Sequence, residues 1–237
     1  MMIQTVILAG GLGTRLKPLT LNVPKPMVPV HEKPFLEYII SWVTKFKIKR
    51  FLFLVGYLGE QIEEYFGDGK KWGVELQYSY EDSPMGTAGA LKQAEPFLEE
   101  RFLLLNGDTF LPIDYASFAS DFIGSECEAF VAAYQGPGFS SLYNLSVSSV
   151  ERRVTQYSKT TTLGMTHVDA GVYGFQKKIL LEIPQGKLFS LENEILPKLA
   201  QKQVLKAHPV FERYYDIGTP ERLEIFKKRI LELEVQI

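Results

Sequence analysis

The sequence predicts an α/β fold built on a mostly parallel sheet with an antiparallel addition, and three observations carry that expectation. Strand-length apolar runs alternate with stretches of helical periodicity through the first half. Glycine-rich or turn-forming segments follow those runs directly. The second half changes to several strand-like segments with few helices between them. Alternation of the first kind implies parallel pairing through right-handed crossovers, and the second kind adds antiparallel strands.

Ile3–Leu8 is an apolar run that ends in glycines. Phe35, Leu36, Ile39, Ile40, Val43 and Phe46 recur at helical spacing and give one apolar face. Phe51–Val55 reads as a buried strand, and Leu58, Ile62, Tyr65 and Phe66 as a short amphipathic helix. Val74–Tyr80 alternates as a strand, a small-residue helix follows Gly86, and Phe102–Leu105 is a buried strand closed by Asn106-Gly107-Asp108. In the second half Ala129–Tyr134, Leu142–Ser148, Val154–Tyr157 and Val168–Phe175 are strand-like. Lys178–Glu182 and Leu191–Gln201 are helical, the latter with Ser190 as its N-cap. Val204–Val210 and Arg213–Ile217 form final strands. Thr219-Pro220-Glu221 starts the last helix with a capping residue, a proline at its first position and an acid at its positive end. The repeat Leu223, Phe226, Ile230, Leu233 on that helix is read as core packing. Together these elements predict one domain over residues 1–237.

Composition narrows the function classes. With 237 residues the chain buries a sizeable core without a disulfide or metal staple. The single cysteine, Cys127, excludes an internal disulfide framework and fits a reducing compartment. No apolar run approaches the ~20 residues that span a bilayer, so a cytoplasmic location is expected. A net charge of −2 argues against broad nucleic-acid binding. Yet Arg15, Lys17 and Lys25 precede the first acid, Glu32, so an anion meets no repulsion from the N-terminal loop.

In an open parallel sheet, ligands bind beyond the carboxyl ends of strands, which directs attention to the loops after Leu8, Tyr80 and Leu105. The first is Leu8-Ala9-Gly10-Gly11-Leu12-Gly13-Thr14-Arg15-Leu16. Residues without a Cβ let backbone N–H groups approach phosphate oxygens, and Arg15 strengthens that reading over a plain tight turn. Leu16 breaks the dinucleotide fingerprint, and no Gly-Lys-Ser/Thr is present, so neither a nicotinamide-type loop nor a Walker loop fits. Next, Pro24 and Pro26 flank Lys25 and fix its backbone, which aims the lysine at a target unless the segment is simply a proline-rich surface loop. Asp108, directly after a buried strand, and Asp216, between a strand and a helix, are hard oxygen donors of the kind Mg²⁺ takes; each also reads as a turn cap. His31, His167 and His208 show no metal spacing and, with Cys127, read as structural.

Gly10-Gly11-x-Gly13-Thr14-Arg15-Leu16, Pro24-Lys25-Pro26-Met27, Gly86-Thr87-Ala88-Gly89 and Asn106-Gly107-Asp108, in that order and spacing, resemble the sugar-1-phosphate nucleotidyltransferase family. The likeness extends from residue 3 to about residue 225. Phe189-Ser190-Leu191-Glu192 and Asp216-Ile217-Gly218-Thr219-Pro220 resemble the guanylyltransferases of D-glycero-α-D-manno-heptose 1-phosphate, with those of mannose 1-phosphate next. The resemblance implies a Rossmann-like three-layer fold, with residues 1–112 as the nucleotide-binding half and 113–237 as the sugar-phosphate half. It implies that Gly10, Gly11, Gly13 and Thr14 wrap the triphosphate, that Leu8 and Ala9 lie near the nucleoside, and that Arg15 binds the departing phosphates. By the same resemblance Lys25 would contact the α-phosphate, and the loop carrying Pro84, Gly86 and Thr87 would lie against base and sugar. Asp108 and Asp216 would hold Mg²⁺, with Arg15, Lys25 and Asp108 as the catalytic groups. Asn106, Gly107, Lys159, Asp169 and Gly171 would take the sugar phosphate. Two positions depart from the family pattern: Ser158 stands where an acid precedes Lys159, and Asp169-Ala170-Gly171 replaces Asn-Ala-Gly. Asp169 covering for Ser158, or a different acceptor, accounts for this.

The expected partners are a nucleoside triphosphate and a sugar 1-phosphate, with no nucleic acid or membrane; self-association stays open. Thymidylyl, uridylyl or cytidylyl transfer to another acceptor is the alternative within the class. A non-catalytic nucleotide-sensing module is the alternative outside it, disfavoured because Arg15, Lys25, Asp108 and Asp216 are all present.

Overall fold

The computed structural model describes residues 3–136, 143–160 and 164–234. Its strands and helices run β1 Gln4–Ala9, β2 Pro29–Val30, β3 Lys33–Pro34, α1 Phe35–Thr44, β4 Arg50–Val55, α2 Gly59–Phe66, β5 Glu75–Tyr80 and α3 Gly86–Gln93. Then follow β6 Arg101–Asn106, β7 Thr109–Phe110, α4 Tyr115–Gly124, β8 Ala129–Tyr134, β9 Leu145–Val147, β10 Val154–Tyr157 and β11 Val168–Gln176. The chain closes with α5 Leu196–Gln201, β12 Leu205–Val210, β13 Tyr215–Asp216 and α6 Pro220–Glu234.

A seven-stranded sheet in the order β12-β8-β11-β6-β1-β4-β5 forms the middle layer. β11 is antiparallel to both of its neighbours, while the other pairs in this sheet are parallel. Both halves of the chain therefore contribute to one sheet, and β11 is the strand that joins them.

Successive side chains on a strand point to opposite faces, and the core follows that rule. Ile7, Phe51, Phe53, Leu103 and Leu105 enter one apolar cluster, with α1 and α6. Val6, Leu52, Leu54, Phe102 and Leu104 enter another, with α3 and α5. Covering both faces explains why these strands are continuous apolar runs rather than alternating ones. The seam of α6 is core: Phe226 meets Phe35 edge-on at 4.8 Å between centroids and Phe110 at 5.4 Å.

Several elements differ from the sequence expectation. Lys177–Glu182 is a 3₁₀ turn. Leu191–Ile195 makes a π-type turn before α5, capped by Ser190, whose hydroxyl accepts the Asn193 N–H at 3.1 Å. Pro197 lacks the N–H that an α-helix would offer the carbonyl of Asn193, which accounts for the wider turn. Arg213–Ile217 shrinks to the two residues of β13. Leu142–Ser148 shrinks to β9, Leu142 itself lying outside the described residues. An additional helix, α4, is capped by Asp114, which accepts the N–H groups of Ala116 and Ser117 at 2.9 Å each.

Candidate active site

The carboxyl ends of β1, β5 and β6 open into a cleft of about 510 Å³. Its lining includes Leu8 to Thr14, Lys25, Pro26, Glu81, Pro84, Gly86, Thr87, Ala90, Asn106, Gly107, Asp108, Leu188 and Glu192. The three loops singled out from the sequence thus converge on one space.

Each loop has a local reason for its course. Gly13 has φ +61°, and a Cβ there would stand 2.9 Å from Thr20 Cγ2 and 3.0 Å from Lys25 Cβ. Thr20 Oγ1 donates to the Gly13 carbonyl at 2.8 Å, which closes the loop onto the segment leading to Lys25. Gly11, by contrast, would have a Cβ with nothing within 4 Å, so protein packing does not require its glycine. Gly107 passes directly over the end of β1: its N–H donates to Leu8 O at 2.9 Å, and a Cβ would lie 2.5 Å from the same oxygen. Gly86, at φ +71°, lets the Phe189 backbone approach the start of α3, where the N–H groups of Ala88 and Gly89 donate to Phe189 O at 3.0 and 3.1 Å.

Lys25 begins a 3₁₀ turn behind Pro24 and is 9% exposed. Its ammonium donates to Asp108 Oδ2, and Thr109 Oγ1 donates to Asp108 Oδ1 at 3.1 Å. Asp216 reaches the same region through a ladder of two residues, β13 on β7, pairing Asp216 with Thr109. The Ile217 N–H completes it by donating to Asp108 O at 3.0 Å. Arg222 Nη1 binds both Asp216 oxygens at 3.0 and 2.9 Å, and the Gly218 N–H adds a third bond at 2.8 Å. The two acids therefore sit on adjoining turns, each already attracting a cationic side chain. Two neighbouring carboxylates suit a small divalent ion that takes its remaining ligands from phosphates and water, and in that sense the donor set fits Mg²⁺. Among the described residues no group of three His, Cys, Asp or Glu is placed to hold a metal.

Of the residues proposed from the sequence, Arg15, Lys159, Asp169, Gly171 and Asp216 stand outside the lining. Arg15 is exposed beside the Asp216 turn, its Nη2 3.7 Å from where a Cβ on Gly218 would be. Lys159 is exposed just past β10. Asp169 and Gly171 lie where the β11–β8 register shifts between Asp169 and Tyr173, a bulge that re-aims the strand. Gly171, at φ +72°, admits the Asn106 side chain; a Cβ would be 2.8 Å from Asn106 Nδ2. Asp169 Oδ2 accepts the hydroxyls of Tyr157 and Tyr173 at 2.8 and 2.7 Å, and Oδ1 accepts the Gly171 N–H at 2.9 Å. Burial pushes its carboxyl up to about 6, against the hydrogen bonds from Tyr173, Gly171 and Tyr157 that oppose the rise. These bonds fix the Asp169 carboxylate between Tyr157 of β10 and Tyr173 of β11, while Ser158 Oγ lies 3.2 Å from Thr160 Oγ1.

Two cleft carboxylates had no role assigned from the sequence. Glu81 follows β5 directly; its Oε2 accepts the Met85 N–H at 2.9 Å, and burial raises its pKa. A Cβ on Gly10 would stand 2.5 Å from Glu81 Oε1, so the glycine makes room for the acid. The loop after Tyr80 was the available signal for it. Glu192 is brought in by the Ser190 turn and meets Thr87 across 105 positions of chain, which no local pattern reveals.

A glycine-rich loop, a buried lysine and paired acids at the carboxyl ends of a doubly covered sheet define an enzyme class that handles nucleotide phosphates. The chain matches the nucleotidyl transferase family over residues 4–232 and belongs to it. It is 36% identical over 220 residues, 92% of this chain and 96% of the relative, to D-glycero-alpha-D-manno-heptose 1-phosphate guanylyltransferase of Campylobacter jejuni. It is 31% identical to mannose-1-phosphate guanylyltransferase of Mycobacterium tuberculosis over 92% of this chain but 62% of that protein. The crystal structure of HddC from Yersinia pseudotuberculosis superposes with TM-score 0.84 at 28% identity, over 96% of this chain and 99% of that one. The same protein complexed with GMP-PN gives TM-score 0.83. The α/β fold read from the sequence is therefore the family's fold. Among the described residues no helix is long and apolar enough to cross a membrane.

Proposed function

We propose that the protein transfers a guanylyl group from GTP to D-glycero-α-D-manno-heptose 1-phosphate, with mannose 1-phosphate as the next candidate, giving a GDP-sugar and pyrophosphate. The observation that carries this reading is the convergence of the Gly10–Gly13 loop, Lys25 and Asp108 on one cleft. The heptose enzyme of Campylobacter jejuni, matched over nearly its whole length, supports the choice of sugar. A heptose product makes the protein a supplier of activated sugar for surface polysaccharide or lipopolysaccharide, and a cytoplasmic site fits that supply.

In this reaction an ionised oxygen of the sugar phosphate forms a bond to the α-phosphorus of GTP. The bond from that phosphorus to the bridging oxygen of the β-phosphate breaks, and pyrophosphate leaves. The nucleophile is already deprotonated at neutral pH, so no general base is needed, and the barrier is the approach of two polyanions. Catalysis then consists of alignment and charge neutralisation. The loop amides of Gly10, Gly11 and Gly13 hold the triphosphate, and Arg15 reaches the β- and γ-phosphates with its permanently charged planar fork. Lys25 shares its ammonium between Asp108 and the α-phosphate. A charge pair at about 4 Å is worth ~4 kcal/mol at an effective dielectric of ~20, so a few such contacts offset the repulsion. Asp108 and Asp216 would hold Mg²⁺, which supplies further neutralisation of phosphate charge.

Glu81 supports guanine. A carboxylate accepts two parallel hydrogen bonds, and guanine offers two adjacent donors, N1–H and N2–H. Uracil and thymine offer one donor flanked by carbonyl oxygens, which a carboxylate repels. Pyrophosphate release, measured for each nucleoside triphosphate against heptose, mannose, glucose and N-acetylglucosamine 1-phosphates with Mg²⁺, tests the assignment. GTP with a manno-configured sugar is expected to lead. Another pair leading would overturn the substrate choice, and no release from any pair would overturn the reaction.

A further inference from the structure

Glu192 lines the cleft half-buried and is held in an unusual way. Its Oε2 accepts the hydroxyls of Thr87 and Ser190, each at 2.8 Å. The Thr87 hydroxyl in turn accepts the Leu191 N–H at 2.8 Å, which ties the start of α3 to the turn that carries the acid. Among the described residues no cation pairs with Glu192, and its Oε1 takes no hydrogen bond. A carboxylate oriented through one oxygen and open through the other is a fixed acceptor facing a cavity.

The chemistry restricts what such a group can meet. Phosphate oxygens carry no donors and repel it, so its ligand partner is a hydroxyl or an N–H. Glu81, the other cleft acid with no cation beside it among the described residues, sits against Gly10 at the end of β5. Glu192 lies on another side, close enough to Asp169 and Tyr157 for its charge to raise their pKa values. That side belongs to β10 and β11, next to the Asn106–Gly171 contact. With the guanine reading placed at Glu81 and the phosphates at Lys25, the hydroxyl donors left are those of the GTP ribose and of the acceptor ring, and the side of β10 and β11, away from Glu81, favours the acceptor.

We propose that Glu192, positioned by Thr87 and Ser190, is the specificity-determining residue that accepts hydroxyl hydrogen bonds from the acceptor sugar through Oε1. This rests on the sugar 1-phosphate reaction proposed above. The negative charge also orients the substrate, since it turns the phosphate of the acceptor away and toward Lys25.

The test is steady-state kinetics of wild type and Glu192→Gln with GTP and the acceptor that wild type uses, alongside thermal unfolding of both. Glutamine keeps the shape and an oxygen for Thr87 and Ser190. The expected result is a KM for the sugar 1-phosphate raised roughly 10–100-fold, the scale for losing hydrogen bonds to a charged group. The KM for GTP should stay within about threefold of wild type. Monodeoxy analogues of the sugar extend the test: wild type should discriminate strongly against at least one, and Glu192→Gln should discriminate roughly tenfold less against that same analogue. A raised KM for GTP with the sugar KM unchanged would overturn the assignment in favour of the nucleotide. Unchanged KM values with a lowered unfolding temperature would reduce Glu192 to a structural brace. Failure of wild type to form product with any sugar 1-phosphate would overturn the reaction itself, and the assignment with it.

Discussion

The ammonium of Lys25 donates to Oδ2 of Asp108, joining the loop after β1 to the turn after β6 across the mouth of the cleft. Lys25 is almost fully buried, while Asp108 keeps about a third of its side chain exposed. The pair holds a positive charge at the cleft, and the proposed transfer has the α-phosphate compete with Asp108 for it.

Under the proposed transfer, replacing Lys25 by alanine removes charge from the reacting phosphate. Turnover is expected to fall roughly 10²–10³-fold, the scale for losing one transition-state contact. Arg15→Ala is expected to fall on the same scale under the role proposed for Arg15, which stands exposed beside the Asp216–Gly218 turn. Initial rates at saturating substrates check both, and near-normal turnover in either variant would contradict its role.

Much of this site is legible in the sequence because it rests on local patterns. Buried parallel strands must be apolar on both faces, so β1, β4 and β6 announce themselves, and the loops after β1 and β6 line the cleft. What escapes detection is set by distant pairing. The ladder of β13 on β7 has two residue pairs, too few to leave a periodic signal, yet it brings Asp216 beside Asp108. Glu192 reaches Thr87 only because Gly86 and Gly89 have no Cβ to keep the Phe189 segment away. Helix α4 did carry a local signal: the Asp114 cap precedes Tyr115, Phe118, Ala119 and Phe122 at helical spacing.

Gly86→Ala tests that close approach. The new methyl would sit 2.6 Å from Phe189 O, on a backbone with φ +71°. Strain and overpacking together are expected to cost roughly 2–4 kcal/mol, lowering the unfolding temperature by about 5–10 °C. Calorimetry that finds an unchanged unfolding temperature would contradict the packing described.

Glu81→Gln is expected to weaken selection for guanine. An amide keeps one acceptor but offers an N–H toward the guanine N–H groups, while it matches the donor and acceptor of uracil. The ratio of kcat/KM for GTP over UTP should fall by roughly 10–100-fold. An unchanged ratio would remove Glu81 from base recognition.

Asp169 gives a pH signature. Its folded pKa of about 6 lies above the ordinary 3.8, so the folded state favours the protonated acid. Stability from this group is fully present below pH 3.8 and is lost as pH rises through about 6. The loss amounts to at most about 3 kcal/mol. Asp169→Asn abolishes the titration. Unfolding temperatures measured from pH 4 to 8 should therefore show wild type losing ground to the variant between pH 4 and 6, with a constant difference above pH 7. Parallel profiles across the range would contradict the buried, tyrosine-bound carboxyl.

Chelation by EDTA is expected to stop pyrophosphate release and Mg²⁺ to restore it, and Asp216→Asn should raise the Mg²⁺ concentration for half-maximal rate roughly tenfold or more. Chelator-insensitive turnover would remove Asp108 and Asp216 from metal binding.

The most direct measurement is the stoichiometry of the reaction itself: GTP, heptose 1-phosphate and Mg²⁺ incubated with the protein, with pyrophosphate and nucleotide sugar quantified together. Guanylyl transfer yields equal amounts of pyrophosphate and GDP-heptose, and no pyrophosphate when either substrate is omitted. Release of pyrophosphate from GTP alone, or GTP binding with no product from any sugar 1-phosphate, would contradict it.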